Sequence, residues 1–593
     1  MSTPAAIVRR LLRAGLFCGL ATLALVIAAT LPPRAVRVET RGWVATLPGT
    51  VVSGAYHVHT NRSDGTGSLD QVAQAAARAG LDFVIVSDHG DASQAPIPPS
   101  YRSGVLCLDA SEISTAGGHY VAIGLPRAPY RLGGDAREVV EDVARLGGIG
   151  IAAHPDSAKK SLRWSDWSLP IDGFEWLSAD SEWRDESRSA LARTALHYAW
   201  RAPQAIVSLF DRPETTLARW DEAAGRGRRL VALAALDAHA RLGPRGFGED
   251  PDARVGEWGE GLALPVPSYD VVFKSLTTRV EIDQPLARDA SEAATQLVSG
   301  LRRGRVFTVI DALAGPGAFE FSAARADGPV VRMGDIVAPG SGPLRFTVRV
   351  AAPASSRVVL LRNGTIVAEN TGTELLVVEA PDDARGHAAY RAEVYVPDAP
   401  GHPPVPWILG NPIYVGVDTV GARPVEAPKE SRAARWLYAD EEEHSWRLEH
   451  DRDSVAAVST VPAVAGRMLV FRFGLASGKP DFWAALVRNL APPVGDATRL
   501  RFKARANRPV RLSVQLRASS AGGAAGLRWR RSVYLDETER DLSVALEDMS
   551  PVGRGTPAAV PPSADAILFV VDGVHASAGA TGIIWLDAIR LER

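Results

Sequence analysis

Tyr56-His57-Val58-His59-Thr60 closes an apolar run and is followed at once by Ser63-Asp64-Gly65. On an extended segment, residues i and i+2 face the same side, so this stretch predicts two imidazoles presented together. Neutral imidazole is the commonest protein ligand for zinc-like ions. A single pair of this kind also arises by chance or as a polar pair at a strand end, so its meaning depends on the rest of the chain.

The surrounding sequence repeats one grammar. Ser68-x-x-Gln71 reads as a capping box opening an Ala-rich helix, Gly80 as its stop, and Leu81 to Ser87 as an apolar strand ending at Asp88-His89. Asp135-x-x-Glu138 opens a second helix, Gly147-Gly148 closes it, and Ile149 to Ala153 delivers His154-Pro155. A third copy runs from Pro213 through a helix to Gly225, then Leu230 to Leu236, ending at Asp237-Ala238-His239. Val105 to Ala110 leads to Glu112, Gly118-His119 opens the run Tyr120 to Ile123, and Ile171 to Trp176 reads as one more strand.

Helix, glycine, strand and ligand-type residue in recurrence predict an α/β parallel barrel or sheet. In such folds functional side chains gather at the carboxyl ends of the strands. Of the 12 histidines, seven fall between residues 57 and 239, and all of these except His197 flank strand-like runs. Core or surface placement accounts for any one of the six, but not for the coincidence of all six.

In order, His57-x-His59, Ser63-Asp64-Gly65, Ser87-Asp88-His89, Glu112 with Gly118-His119, His154-Pro155 and Asp237-x-His239 resemble the polymerase and histidinol phosphatase (PHP) superfamily of metal-dependent phosphoesterases. Asp270-x-x-Phe273 and Leu301 to Phe307 resemble the closing elements of its exported or membrane-attached branch, related to carbamate-ester hydrolases. The resemblance covers roughly residues 50 to 311. It implies a distorted (β/α)7 barrel with two to three divalent metal ions at its mouth. Carried over, His57, His59, Glu112 and Asp237 hold one ion, and Glu112 bridges to a second held by His119 and His154. Asp64, which is histidine in some members, holds the third with His89 and His239. The catalytic set is then His57, His59, Glu112, His154, Asp237 and His239.

Six imidazoles and three carboxylates in one pocket call for divalent ions to settle their mutual repulsion. Mixed nitrogen and oxygen ligands suit zinc, manganese or iron alike. Water activated between such ions is a nucleophile, and the ions neutralise charge on a phosphoryl or carbonyl oxygen. No Gly-x-Ser-x-Gly elbow is present, in keeping with hydrolysis that needs no protein nucleophile. The reading is a hydrolase of small-molecule phosphate esters. Two alternatives stand beside it: a carbamate or carboxylic ester hydrolase on the same site, and a non-catalytic envelope glycan-binding protein. Lys159, Lys160 and Arg241 follow ligand motifs and could add cationic contacts, or be solvated surface charges. Asp88 could orient an imidazole or cap a turn. Trp164, Trp167, Trp176, Trp183 and Trp200 read as core or lid packing rather than a substrate wall.

Composition bounds the rest. The chain has 593 residues and a formal net charge of −2, too long for one core and without the basic field that holds a nucleic-acid backbone. Its two cysteines, Cys18 and Cys107, cannot build a disulfide framework or a thiolate metal site. Arg9, Arg10 and Arg13 precede an uncharged run from Ala14 to Leu31. This reads as a signal anchor placing the body outside the cytoplasm, with a cleaved signal and secretion as the alternative.

Residues 1–34 are therefore assigned to the anchor and 50–311 to the metallohydrolase. Residues 312–420 form an immunoglobulin-like β-sandwich with Asn363-Gly364 as a hairpin turn, and 421–433 a linker. Residues 434–593 read as a jelly-roll of carbohydrate-binding type, with possible glycan contact.

Overall fold

In the computed structural model the described residues are 4–38, 43–241, 266–315, 317–326, 328–338, 343–372, 375–380, 387–417, 434–439, 445–463, 466–478, 481–519, 526–553 and 556–593. The predicted linker 421–433 lies outside them. By contacts the chain forms two units. The first comprises residues 1–90, 97–124 and 148–421, and the second 91–96, 125–147 and 422–593.

Along the chain the elements are α1 (Pro4–Thr30), β1 (Thr50–Val58), α2 (Leu69–Ala79), β2 (Phe83–Val86), β3 (Val105–Thr115), β4 (Gly118–Ile123) and α3 (Ala136–Arg145). There follow β5 (Ile149–Ala152), β6 (Gly173–Ser178), α4 (Arg188–Val207), α5 (Glu214–Gly225), β7 (Val231–Ala235), β8 (Thr277–Ile282), α6 (Ala290–Arg302) and β9 (Val306–Val309).

The local signals act as read. Gln71 N donates to Ser68 Oγ at 3.3 Å and Ser68 N to Gln71 Oε1 at 2.8 Å, completing the capping box of α2. The helix buries Val72, Ala73, Ala75 and Ala76, and Gly80 ends it at φ 75°, a conformation that a side chain would disfavour. Strands β2, β5 and β7 are buried along their whole length, as expected of strands covered on both faces.

The sheet order is β9-β8-β1-β2-β3-β4-β5-β6-β7. β1, β2 and β3 are parallel, as are β5, β6 and β7. Between them, β4 is antiparallel to both β3 and β5, and β8 is antiparallel to β1 and β9. The sheet is therefore mixed rather than a succession of seven parallel strand-helix repeats. β3 and β4 form a tight hairpin across Ala116-Gly117, and no helix joins β2 to β3 or β5 to β6. A two-residue connection can only reverse the chain, whereas a parallel return needs a crossover of a dozen residues or more.

The last parallel strand returns to the first. Leu236 N donates to Tyr56 O at 3.0 Å, Ala238 N to His57 O at 3.2 Å, and His59 N to Ala238 O at 3.0 Å. Inside lies a core including Tyr56, Phe83, Ile85, Leu106, Ile151, Leu233, Val280 and Leu297, each large side chain contributing about 1.5–3 kcal/mol on burial.

The 312–420 segment is not a free-standing sandwich. Its strand Ile408–Gly410 pairs antiparallel with β9, so one of its sheets continues the barrel sheet. Next to it, buried Asn411 donates from Nδ2 to Ala232 O at 2.8 Å and Val306 O at 2.9 Å, while its Oδ1 accepts from Ala232 N at 2.8 Å. One side chain thus ties β7 to β9. A separate four-stranded sheet has the order Val331–Arg332, Ala318–Ala324, Leu344–Ala351, Leu375–Ala380. The predicted hairpin is present, with Asn363 at φ 45° and Gly364 at φ 81° between Arg357–Arg362 and Thr365–Thr371.

Within this segment the buried Glu393 carboxylate accepts from Arg391 Nε at 2.8 Å, Arg212 Nη1 at 2.7 Å and Tyr395 Oη at 2.5 Å. Burial alone would raise its pKa, but Arg391 and Arg212 outweigh it and bring it down to about 2. Because the folded value lies below that of a free glutamate, the stabilisation is full above about pH 4.3 and is lost as pH falls towards 2. Glu393→Gln leaves two buried guanidinium groups short of a counter-charge and is expected to cost about 3–5 kcal/mol at neutral pH. Urea unfolding should show this gap, and the gap should narrow on acidification.

Among the described residues the second unit holds two six-stranded antiparallel sheets. They enclose a core including Tyr438, Phe471, Phe502, Leu512, Trp529, Phe569, Ile584 and Leu586. Helix α3, predicted as a barrel helix, belongs to this unit by its contacts. Arg511 donates to both Asp142 carboxylate oxygens at 2.9 Å, and His575 Nε2 lies 3.0 Å from Glu138 Oε2, with all four groups buried. Glu138 is thus drawn into an ionic network at the start of α3.

Candidate metal centre

All nine predicted ligands lie at one end of the sheet, where the parallel strands finish and the antiparallel β4 begins. His57 and His59 end β1, and His89 follows β2. Glu112 in β3 and His119 at the start of β4 reach each other diagonally across the hairpin, whose register pairs Glu112 with Val121 and His119 with Ser114. His154 follows β5, while Asp237 and His239 follow β7. Every one except His89 and His239 is buried to within a tenth of its surface.

The local backbone is unusual at three of them: φ is +61° at His57, +29° at His154 and +47° at Asp237. Such values are uncommon outside glycine and concentrate at functional sites. At His57 the register with β2 jumps, Tyr56 pairing with Ile85 and Val58 with Val86. The two imidazoles of the opening motif therefore converge through a bulge, their ring centres 5.2 Å apart, and not through simple strand alternation.

Among the described residues, four overlapping sets have ligand atoms all within 4.8 Å of one another: His57, His59, Glu112, Asp237; His59, Asp64, His89, His239; His89, Glu112, His119; and Asp180, Asp237, His239. The first matches the expected grouping, and the second adds His59 to the expected Asp64, His89 and His239. The third departs from expectation, with His89 beside Glu112 and His119 where His154 was expected, and His154 belongs to none of the four. Around Glu112 the arrangement is broader than expected. Its Oε1 lies 2.7 Å from His119 Nδ1 and 2.9 Å from His154 Nε2, and its Oε2 3.3 Å from His57 Nε2, 3.2 Å from His59 Nε2 and 3.3 Å from His89 Nδ1. Glu112 is the centre of the cluster.

Electrostatics follow from that packing. Burial would raise Glu112 and Asp237, yet the surrounding imidazoles hold both well below the carboxylate range, His89 and His119 first at Glu112 and His57 and His239 first at Asp237. Burial pulls His59 down, but Asp64, Asp237 and Glu112 together lift it to about 10. At His89 burial wins and sets the value at about 4, so this imidazole is neutral at physiological pH. The carboxylates thus favour positive charge in the pocket.

A donor set of this kind fits divalent cations, and one observation bears on it directly. His57 Nε2 and His59 Nε2 are buried without a hydrogen-bond partner, although each faces Glu112 and Asp237 oxygens at 3.2–3.4 Å. Buried polar atoms left unpaired are costly unless something else satisfies them.

A supporting layer surrounds the cluster, most of it not read from the sequence. Glu175, buried in the middle of β6, accepts from His57 Nδ1 at 2.6 Å and from the His154 backbone N–H at 2.6 Å. It fixes the His57 ring with Nε2 turned to the cluster. Asp88 serves the turn of the opening motif. Its carboxylate accepts from Thr60 N at 2.7 Å, Thr60 Oγ1 at 2.6 Å and Ser63 Oγ at 2.6 Å, holding the turn that carries Asp64. Tyr269 Oη donates to His59 O at 2.8 Å and lies 3.3 Å from His239 O. Asp180, at the rim, also escaped the sequence reading, and it accepts from Trp183 Nε1 at 3.1 Å and from Arg184.

Lys159 and Lys160 are exposed and Arg241 is half-buried. Trp164 and Trp176 are fully buried, as core packing predicts, whereas Trp183 and Trp200 are exposed.

No protein-family model matches the chain, and no curated protein matches it. Among solved structures, a two-domain protein from Bacteroides vulgatus containing a predicted PHP-like metal-dependent phosphoesterase aligns at 12% identity over 61% of this chain and 94% of its own, with a TM-score of 0.28. A family 11 carbohydrate-binding module from Clostridium thermocellum, in complex with a mixed-linked tetrasaccharide, aligns at 13% identity over 27% of this chain and 95% of its own, with a TM-score of 0.24. A family 30 module of a cellulosomal cellulase from the same organism aligns at 11% identity over 27% and 96%, with a TM-score of 0.20.

Proposed function

We propose that the chain is a metal-dependent hydrolase of phosphate esters, with His57, His59, Asp64, His89, Glu112, His119, His154, Asp237 and His239 holding two to three divalent ions. The observation that carries this reading is the convergence of eight of these nitrogen and oxygen donors in overlapping sets, with His154 joined to them through Glu112, on one buried pocket in which His57 and His59 nitrogens face carboxylates without hydrogen-bond partners. The order of the ligand motifs, with its resemblance to the PHP superfamily, supports the same reading.

Divalent ions in such a pocket supply acidified water as a nucleophile and charge neutralisation on the ester oxygens. The protein's own groups prepare that chemistry. Glu112, Asp237 and Asp64 hold positive charge in place, and Glu175 keeps His57 in the tautomer with a free Nε2. Asp88 and Tyr269 brace the backbone of the opening motif, so the ligand atoms need little rearrangement during turnover.

We read Leu12–Thr30, long and apolar enough to cross a membrane, as the span of an anchor with the body outside the cytoplasm.

The test uses the detergent-solubilised full chain. Chelation should abolish hydrolysis of a generic aryl phosphate, zinc, manganese or iron should restore it, and the restored enzyme should be more stable to heat by about 3 kcal/mol at metal 100-fold above its Kd. Turnover of an aryl carbamate or carboxylic ester without turnover of the phosphate would move the assignment to the alternative ester class. Turnover of none of them would remove the enzyme reading.

A further inference from the structure

Helix α4 leaves the barrel just after β6 and returns to the same end, where Asp211 N donates to Glu182 Oε2 at 3.1 Å. Its helical path is broken at Arg201, with φ −144° and ψ 61°. On its inner side Tyr198 Oη accepts from Ser268 N at 3.3 Å. The next residue, Tyr269, donates to the backbone of His59. Helix α4 is therefore part of the rim of the metal-centre mouth.

The same helix is tied to the end of α1. Thr30 Oγ1 lies 3.0 Å from His197 Nε2, and Arg201 donates to Pro32 O. The apolar stretch Leu12–Thr30 has 19 residues, a length of about 28 Å as helix against a hydrocarbon thickness of about 30 Å. Thr30 then lies at the outer interface, and so do the α4 residues in contact with it.

The exposed face of α4 has the composition of an interfacial surface. Arg188, Ala192, Arg193, Ala195, Ala199 and Trp200 are exposed, Trp200 at 58%. No acidic residue occurs from Ser187 to Phe210. Basic and aromatic side chains on one face suit the headgroup region of an anionic bilayer.

We propose that the mouth of the barrel rests on the outer surface of the membrane through α4, and that its substrate is an ester carried by a membrane-resident amphiphile rather than one drawn from bulk water. The substrate half of this proposal rests on the hydrolase reading, and the placement half on the reading of Leu12–Thr30 as a membrane anchor.

The experiment uses the full chain in vesicles of phosphatidylethanolamine and phosphatidylglycerol. Nitroxide labels are attached at Trp200→Cys or Ile366→Cys in a Cys18→Ser background, Cys107 being buried. Ile366 serves as the reference because it follows the Asn363-Gly364 turn, whose neighbours are Gly225 and Asp221 at the far end of α5. The label at position 200 should relax preferentially with oxygen, and that at 366 with a water-soluble nickel chelate. Equal preference for the chelate at both positions overturns the placement.

In the same vesicles with phosphatidate added to the lipid, metal-loaded enzyme should hydrolyse phosphatidate with kcat/KM about tenfold or more above that for 4-nitrophenyl phosphate, since both partners share one surface. Preference for the soluble ester overturns the substrate class. No turnover of either ester overturns the hydrolase reading and the substrate half with it, while the label result still decides the placement.

Discussion

Glu112→Gln is expected to lower kcat/KM by roughly 10³-fold, about 4 kcal/mol of transition-state stabilisation, and to remove at least one equivalent of bound metal. The size of the effect follows from its position. Its two carboxylate oxygens lie within 3.3 Å of nitrogens from five histidines on four strand ends. Glutamine keeps the volume but gives up the charge and one acceptor oxygen, and turns an amide donor towards imidazoles that need an acceptor. Metal analysis of the purified variant separates this effect from unfolding, as does a near-wild-type melting curve in chelator. If Glu112→Gln retains full metal content and full activity, Glu112 is not the bridge of the site.

Glu175→Gln should weaken metal affinity by about 10–100-fold, the usual consequence of disturbing a carboxylate that orients a metal-bound histidine. Activity should largely return at saturating metal. The carboxylate bonds His57 Nδ1 and the His154 backbone together. One residue therefore sets a ring tautomer on β1 and pins the positive-φ residue after β5. Competition with a chromophoric chelator measures the affinity directly. A purely structural role predicts lower thermal stability with unchanged affinity, and Glu175→Asp, which keeps the charge, should recover part of the loss.

These two residues mark how far the sequence reads on its own. The clustering of Glu112 with the other eight residues was legible because ligand-type residues close or open apolar runs, and that pattern survives without knowledge of which strand neighbours which. Glu175 was not: it sits inside Gly173–Ser178, where alternation makes any polar residue look like an outward-facing one, and its partners are 118 and 21 residues away in sequence. Asp88 was singled out, yet its partners proved to be the hydroxyls and amide of the opening motif, because the turn after His59 folds back over β2.

The barrel was legible as repeated helix and strand, but the β3–β4 hairpin was hidden because Gly118-His119 marks both a reversal and a ligand. The continuation of the barrel sheet through Ile408–Gly410 was hidden more deeply. It depends on a pairing across about a hundred residues, and a short apolar strand carries no mark of its partner. Helix α3 shows the same limit from the other side: its amphipathic pattern announces a buried face but not which surface covers it.

The most direct test of the account is anomalous scattering from crystals of the zinc-loaded protein, recorded on both sides of the zinc absorption edge. Two or three peaks in the pocket bounded by His57, His59, Asp64, His89, Glu112, His119, His154, Asp237 and His239 are predicted. Peaks elsewhere, with none in that pocket, would contradict the metal centre and the hydrolase built on it.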